Sequence, residues 1–112
     1  MKNNKILFFL LLFFSVPHIY SQKINGISFV ASRDTIQKKH IQPVLKVNGN
    51  YVALMPFGFI RSLENPKVIY NSNREWFGET KNGLIHYANE FKKEQVKIMV
   101  KPHLWVSRGL YT

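Results

Sequence analysis

Six carboxylates are all this chain has for acid–base chemistry: Asp34, Glu64, Glu75, Glu79, Glu90 and Glu94. Cleaving a bond by general acid and base needs two carboxyl groups facing it from either side. Glu90 and Glu94 fall on the polar side of a helical stretch, and Asp34 is placed to cap the helix that follows it. Only Glu75 with Glu79 forms a candidate catalytic dyad, and loop solubility or helix capping is the plainer reading of both. The histidines are dispersed without paired spacing, which excludes a metal site built on them. There is no cysteine, so zinc ribbons, thiol chemistry and disulfides are excluded as well. His103 and Trp105 flank Leu104 just beyond an apolar run, so both can point to one side. Ser32 and Arg33 follow a first apolar run, and Phe57 follows a second.

Three apolar runs position these residues. They are "KINGISFVAS" (Lys23–Ser32), "YVALMPF" (Tyr51–Phe57) and "VKIMVKPHLWV" (Val96–Val106). Alternation is weak in each, which predicts strands buried on both faces. Pro102 predicts the end of pairing in the third, since proline cannot donate to a central ladder. Between the first two runs, Ile41, Val44, Leu45 and Val47 recur at helical spacing, with Pro43 in the first turn and Asn48-Gly49 as the stop. Between the second and third, Thr80 caps a helix whose buried stripe is Leu84, Tyr87, Ala88 and Phe91, with Glu90 and Lys93 in solvent. His40 and His86 sit on these helices, on the surface or partly packed.

Strand, helix, strand, helix, strand implies a parallel sheet with right-handed crossovers, an α/β fold. The first turn, "VASRDT", has no glycine, so no phosphate cradle forms there. The second connection, Phe57 to Glu79, shows no clear regular element. A loop this long tends to be functional, and it leaves the carboxyl end of a strand, where barrel enzymes build their sites. It carries Phe57, Phe59, Arg61, Tyr70, Arg74, Trp76 and Phe77. Aromatics and arginines around a cleft suit sugars, which stack on rings and hydrogen-bond at their edges. Trp76 and Arg74 are read as pinning this loop rather than lining the cleft.

The first 22 residues read differently. Lys2 and Lys5 precede an apolar run from Ile6 to Val16 and a more polar end. That is the pattern of a secretory signal peptide (1–21) cleaved after Ser21. The run falls short of the roughly 20 residues that a spanning anchor needs. One domain of about 90 residues remains, enough for a small core. Loss of the leader lowers the formal charge of +10 by two. The remaining cations are scattered without a run of five, which favours a solvated basic surface over nucleic-acid binding.

The stretches "INGISFVASRD", "NYVALMPFGFI" and "REWFGETKNGLIHYANEFKKEQVKIMVKPHLWV" resemble the opening of secreted bacterial proteins of glycoside hydrolase family 113. The resemblance spans about Lys23 to Thr112. It implies a parallel βαβαβ unit forming the first three strands of a TIM (β/α)8 barrel, residues 22–112 being its incomplete N-terminal portion. It also implies a β-mannanase-like enzyme that cleaves a β-linked polysaccharide with two glutamates and no cofactor or metal. Such glutamates follow the fourth strand and lie near the seventh, beyond this sequence. Retaining cleavage would need them about 5–5.5 Å apart.

By the same resemblance, "KPHLW" borders the sugar site, with His103 bonding a sugar hydroxyl and Trp105 offering a stacking face. The expected substrate-binding residues are therefore His103, Trp105, Phe57, Ser32 and Arg33, with no catalytic residue in the chain. The expected partner is a β-mannan-like polysaccharide or oligosaccharide. No nucleic acid is expected, and no membrane after signal cleavage. An exposed sheet edge would invite self-association. The alternative is a small secreted carbohydrate-binding or cell-surface interaction protein that uses the loop aromatics and needs no glutamate pair.

Overall fold

A computed structural model describes residues 23–107, together with residues 3–6 and 8. The expected cleavage point after Ser21 and most of the leader lie outside the described residues. Among the described residues, no helix is long and apolar enough to cross a membrane.

The chain is mixed α/β. Strand β1 (Gly26–Phe29) leads to helix α1 (Lys38–Lys46), then β2 (Tyr51–Leu54) and β3 (Phe57–Ser62). A turn joins β3 to β4 (Asn65–Ile69). A short 3-10 turn (Phe77–Glu79) then precedes helix α2 (Lys81–Lys93), β5 (Lys97–Val100) and β6 (His103–Val106). One sheet has the order β1-β2-β5, all parallel, as expected from the alternation of elements. A second sheet has the order β4-β3-β6, with β3 antiparallel to β4 and parallel to β6.

The two sheets share two continuous lengths of chain. Tyr51 pairs with Lys97 and Leu54 with Val100; beyond the prolines, Phe57 pairs with His103 and Ile60 with Val106. The offset never changes. Lys101 donates to the Leu54 carbonyl at 2.8 Å and His103 to the Pro56 carbonyl at 2.9 Å, so the ladder runs through the break. Pro102 therefore does not end the pairing, contrary to expectation. Lys101 and His103 both turn their N–H groups toward β2 and β3. Alternate residues of a strand point opposite ways, so the Pro102 nitrogen faces the outer edge, where no partner strand lies among the described residues.

The core lies between the first sheet and the two helices. Ile41 and Val44 of α1, Val52 and Leu54 of β2, and Tyr87 and Phe91 of α2 are buried together. Each such side chain stabilises by about 1.5–3 kcal/mol relative to exposure. Phe29 meets Phe91 edge-on at 4.9 Å and Tyr87 at 5.9 Å. The strands are covered on one face, not two. Along β1 the residues alternate exposed and half-buried, and along β2 half-buried and buried. The weak alternation of types had hidden this. Ala53, Met99 and Tyr51 are apolar, yet they lie on the side away from the helices.

Both helices end alike. Asn48 and Gln95 take left-handed conformations (φ 56° and 60°). Gly49 then donates back to Val44 and Val96 back to Phe91, at 2.9 and 3.1 Å. This Schellman pattern turns each helix into the following strand. Thr80 caps α2 as expected, its hydroxyl accepting from the Gly83 amide at 3.2 Å. Three expectations about α1 fail. Gln37 is its N-cap, not Asp34. Pro43 lies inside the helix rather than in its first turn, so the carbonyl of Lys39 loses its intrahelical partner. Val47 follows the last helical residue and is exposed.

Candidate functional site

The connection from Phe57 to Glu79, expected to be irregular, is mostly a β-hairpin. Ser62 pairs with Asn65 across Leu63 and Glu64, and a bulge lies between Ile60 and Ser62. The polar, low-periodicity stretch "RSLENPK" concealed it. Gly58 admits the close packing there: a Cβ would sit 3.0 Å from Val68 and 3.1 Å from Leu104.

The constant register determines which side chains meet. Phe57 stands opposite His103 and Phe59 opposite Trp105. Odd-numbered residues of both segments share one face, continuing the side of the first sheet that the helices leave open. The Phe57 and His103 rings contact edge-on, centroids 5.2 Å apart. Neither His103 nor Trp105 has a side-chain hydrogen bond among the described residues, and Trp105 is 60% exposed. An imidazole with no hydrogen-bond partner among the described residues and an open indole can together offer a hydrogen bond and a stacking face. His103, Trp105 and Phe57 are thus brought onto one face.

Ser32 lies elsewhere, and Arg33 lies beyond the aromatic pairs, in a depression that it lines with Trp76. The Ser32 hydroxyl is 2.7 Å from the Tyr87 hydroxyl and donates to the Asp34 carbonyl at 3.0 Å. Tyr87, 1% exposed, also donates to the Asp34 carbonyl at 2.9 Å and accepts from the Ser32 amide at 3.2 Å. The Ser32 carbonyl accepts from Gly78 at 3.0 Å. Ser32 is therefore part of a knot that ties the loop after β1 to α2. Arg33 is exposed and lies over the Trp76 ring at 5.5 Å.

A groove runs beside the aromatic pairs. Phe59, Ile69, Arg61 and Ser107 line its floor, and Ser72, Asn73 and Arg74 close one side. Trp76 and Arg74 line its continuation with Arg33, so they border the cleft rather than only pinning the loop. Arg61 and Ser107 share the offset that pairs Phe57 with His103. That offset is invisible in the sequence without the pairing.

The carboxylates serve local structure. Glu75 accepts from the Asn71 amide at 2.8 Å and from the Ser72 hydroxyl at 3.4 Å. Glu79 accepts from the Trp76 amide at 3.0 Å, closing the 3-10 turn. Glu90 pairs with Lys93 on the outer side of α2, and this hydrogen bond holds its carboxyl below the usual range. The remaining helix histidines bind backbone. His40 accepts from the Gln37 amide at 2.9 Å, and His86 Nε2 lies 3.2 and 3.0 Å from the amide and carbonyl of Ile36. No group of three metal-ligating side chains converges among the described residues. Compared with known proteins, the chain matches no family model, no curated protein and no solved structure.

Proposed function

We propose that this chain is the opening βαβαβ portion of a secreted, β-mannanase-like glycoside hydrolase barrel and supplies part of its sugar-binding wall. The observation that carries the reading is the pairing of Phe57 with His103 and Phe59 with Trp105 on one open face. The face lies at the carboxyl ends of parallel strands, where barrel enzymes bind substrate. The order β1-β2-β5, each strand beside its predecessor, suits the start of a barrel whose interior is the face opposite the helices. Trp105 would stack on a pyranose ring and His103 would bond a hydroxyl beside it. The acid–base glutamates belong to other segments of such a barrel. The leader would direct the protein out of the cytoplasm, and the outer edge of β5 and β6 would take a further strand or a second copy.

A second reading has one observation in its favour. Glu75 and Glu79 are both engaged in their own loop, so the face can bind sugar without turnover, as a carbohydrate-binding module does. Calorimetric titration of the whole chain with β-1,4-mannohexaose tests what the two readings share. Binding should weaken about tenfold in Trp105→Ala, the scale of one lost stacking contact of ~1–1.5 kcal/mol. Unchanged affinity would exclude this face as the sugar site. Hydrolysis of the hexamer that disappears in Glu75→Gln would refute the assignment of the catalytic glutamates to other segments.

A further inference from the structure

Three adjoining depressions form one groove along the second sheet. The first, lined by Asn65, Lys67, Arg61 and Ile69, shares Arg61 and Ile69 with the second. The second shares Asn73 and Arg74 with the third, which Arg33 and Trp76 also line. Four cations thus succeed one another along a single path: Lys67, Arg61, Arg74 and Arg33. None of the four has an ion-pair partner among the described residues, whose salt bridges are Lys38–Glu94 and Glu90–Lys93. Among the described residues the single carboxylate on the path, Glu75, is engaged by the Asn71 amide and the Ser72 hydroxyl.

Like charges gathered on one path repel, and the folded chain places them there at that cost. A guanidinium presents a planar fork that fits carboxylate or sulfate oxygens two at a time. Between the cations the groove offers neutral hydrogen-bonding groups, Ser72, Asn73 and Ser107, and ring surface from Phe59 and Trp76. Spaced anions joined by hydroxyl-bearing rings would satisfy all three kinds of group. We infer that this groove binds an anionic glycan, a chain of sugars bearing carboxylate or sulfate groups. Arg61 and Arg74 take the anions, and the ring surfaces take the sugar faces. The inference rests on the sugar-binding reading of the neighbouring face and narrows it from neutral to charged chains. A nucleic acid is the weaker fit: proteins for single strands stack successive bases on aromatics in series along the backbone, whereas Phe59 and Trp76 line separate depressions with cations between them.

The test compares two ligands with the same linkage. β-1,4-Mannohexaose is neutral, and the β-1,4-mannuronate hexamer carries a carboxylate on every ring. The proposal expects the whole chain to bind the mannuronate hexamer at least tenfold more tightly at low salt. The double variant Arg61→Gln/Arg74→Gln should abolish that preference while leaving the far-ultraviolet circular dichroism unchanged. A Lys38→Gln/Lys39→Gln control, at the start of α1 and outside the groove lining, should keep the preference. A sulfated mannohexaose that binds more tightly still would support the proposal and assign the anion as sulfate. Equal affinity for the neutral and charged hexamers would overturn the anionic assignment and leave the sugar reading standing. Binding of neither hexamer would overturn both. An oligothymidylate of similar length that binds as tightly and loses affinity in the double variant would overturn the glycan assignment in favour of nucleic acid.

Discussion

The segments 51–60 and 97–106 run side by side in one register, yet their two halves are built for different ends. Before Pro56 and Pro102, even-numbered side chains face two helices: Val52 and Leu54 are buried, and Phe91 and Tyr87 pack over them. Beyond the prolines no helix covers the sheet among the described residues. The second half is flanked by β4 within the same sheet and leaves Trp105 and Leu104 each 60% exposed. One backbone ladder thus joins a region that holds the fold to a region that presents rings and cations. The difference shows how an open aromatic face can be carried on regular strands: the strands continue from the buried half in one register, so the exposed half needs little core of its own.

The sharpest way to break the comparison is to truncate one aromatic in each half. Phe91→Ala should lower the unfolding free energy by about 3–5 kcal/mol in urea denaturation, because its whole ring is buried. Trp105→Ala should change it by less than ~1 kcal/mol. Equal losses would erase the division of labour. Next in size is Gly83→Ala. The helix there lies so close to the 3-10 turn that an added Cβ would fall 1.7 Å from the Phe77 carbonyl oxygen. The helix and turn must part, costing about 1–3 kcal/mol. Because Trp76 and Phe77 border the groove, this variant should also weaken ligand binding, linking the halves.

Thr80→Ala removes the cap of the same helix and should cost about 1 kcal/mol, with no effect on ligand affinity. The smallest effect concerns pH. The carboxyl of Glu90 is held low by its hydrogen bond to Lys93, so its contribution is present above the unfolded-state pKa. It is lost as pH falls through the lower folded-state value. Glu90→Gln should slightly flatten the acid side of the stability profile measured by thermal melting, and Lys93→Gln should do the same.

Much of the buried half was legible in the sequence. Thr80 with Leu84, Tyr87 and Phe91 has the cap and spacing of a helix, and the βαβαβ order follows from apolar runs alternating with such helices. Asn48-Gly49 marked the end of α1 because a left-handed residue suits that place. Gln95 plays the same part without any compositional sign of it. The exposed half was legible only in pieces. His103, Trp105 and Phe57 could be singled out because they follow apolar runs. Their partners could not, since Arg61 meets Ser107 only through pairing across a fixed offset. The cations Lys67, Arg61, Arg74 and Arg33 looked scattered because the hairpin and the loop before α2 fold them onto one path. Pro102 misled for a related reason: a proline forbids pairing only on the side its nitrogen faces.

The central claim is that recognition belongs to the half beyond the prolines. Hydrogen exchange of the whole chain, with and without saturating mannuronate hexamer, tests it most directly. The account predicts that added protection falls within residues 57–61, 72–76 and 103–107, while β1 and α2 exchange as before. Protection gained instead along Ser28, Tyr51 and Met99, on the open face of the first sheet, would contradict it.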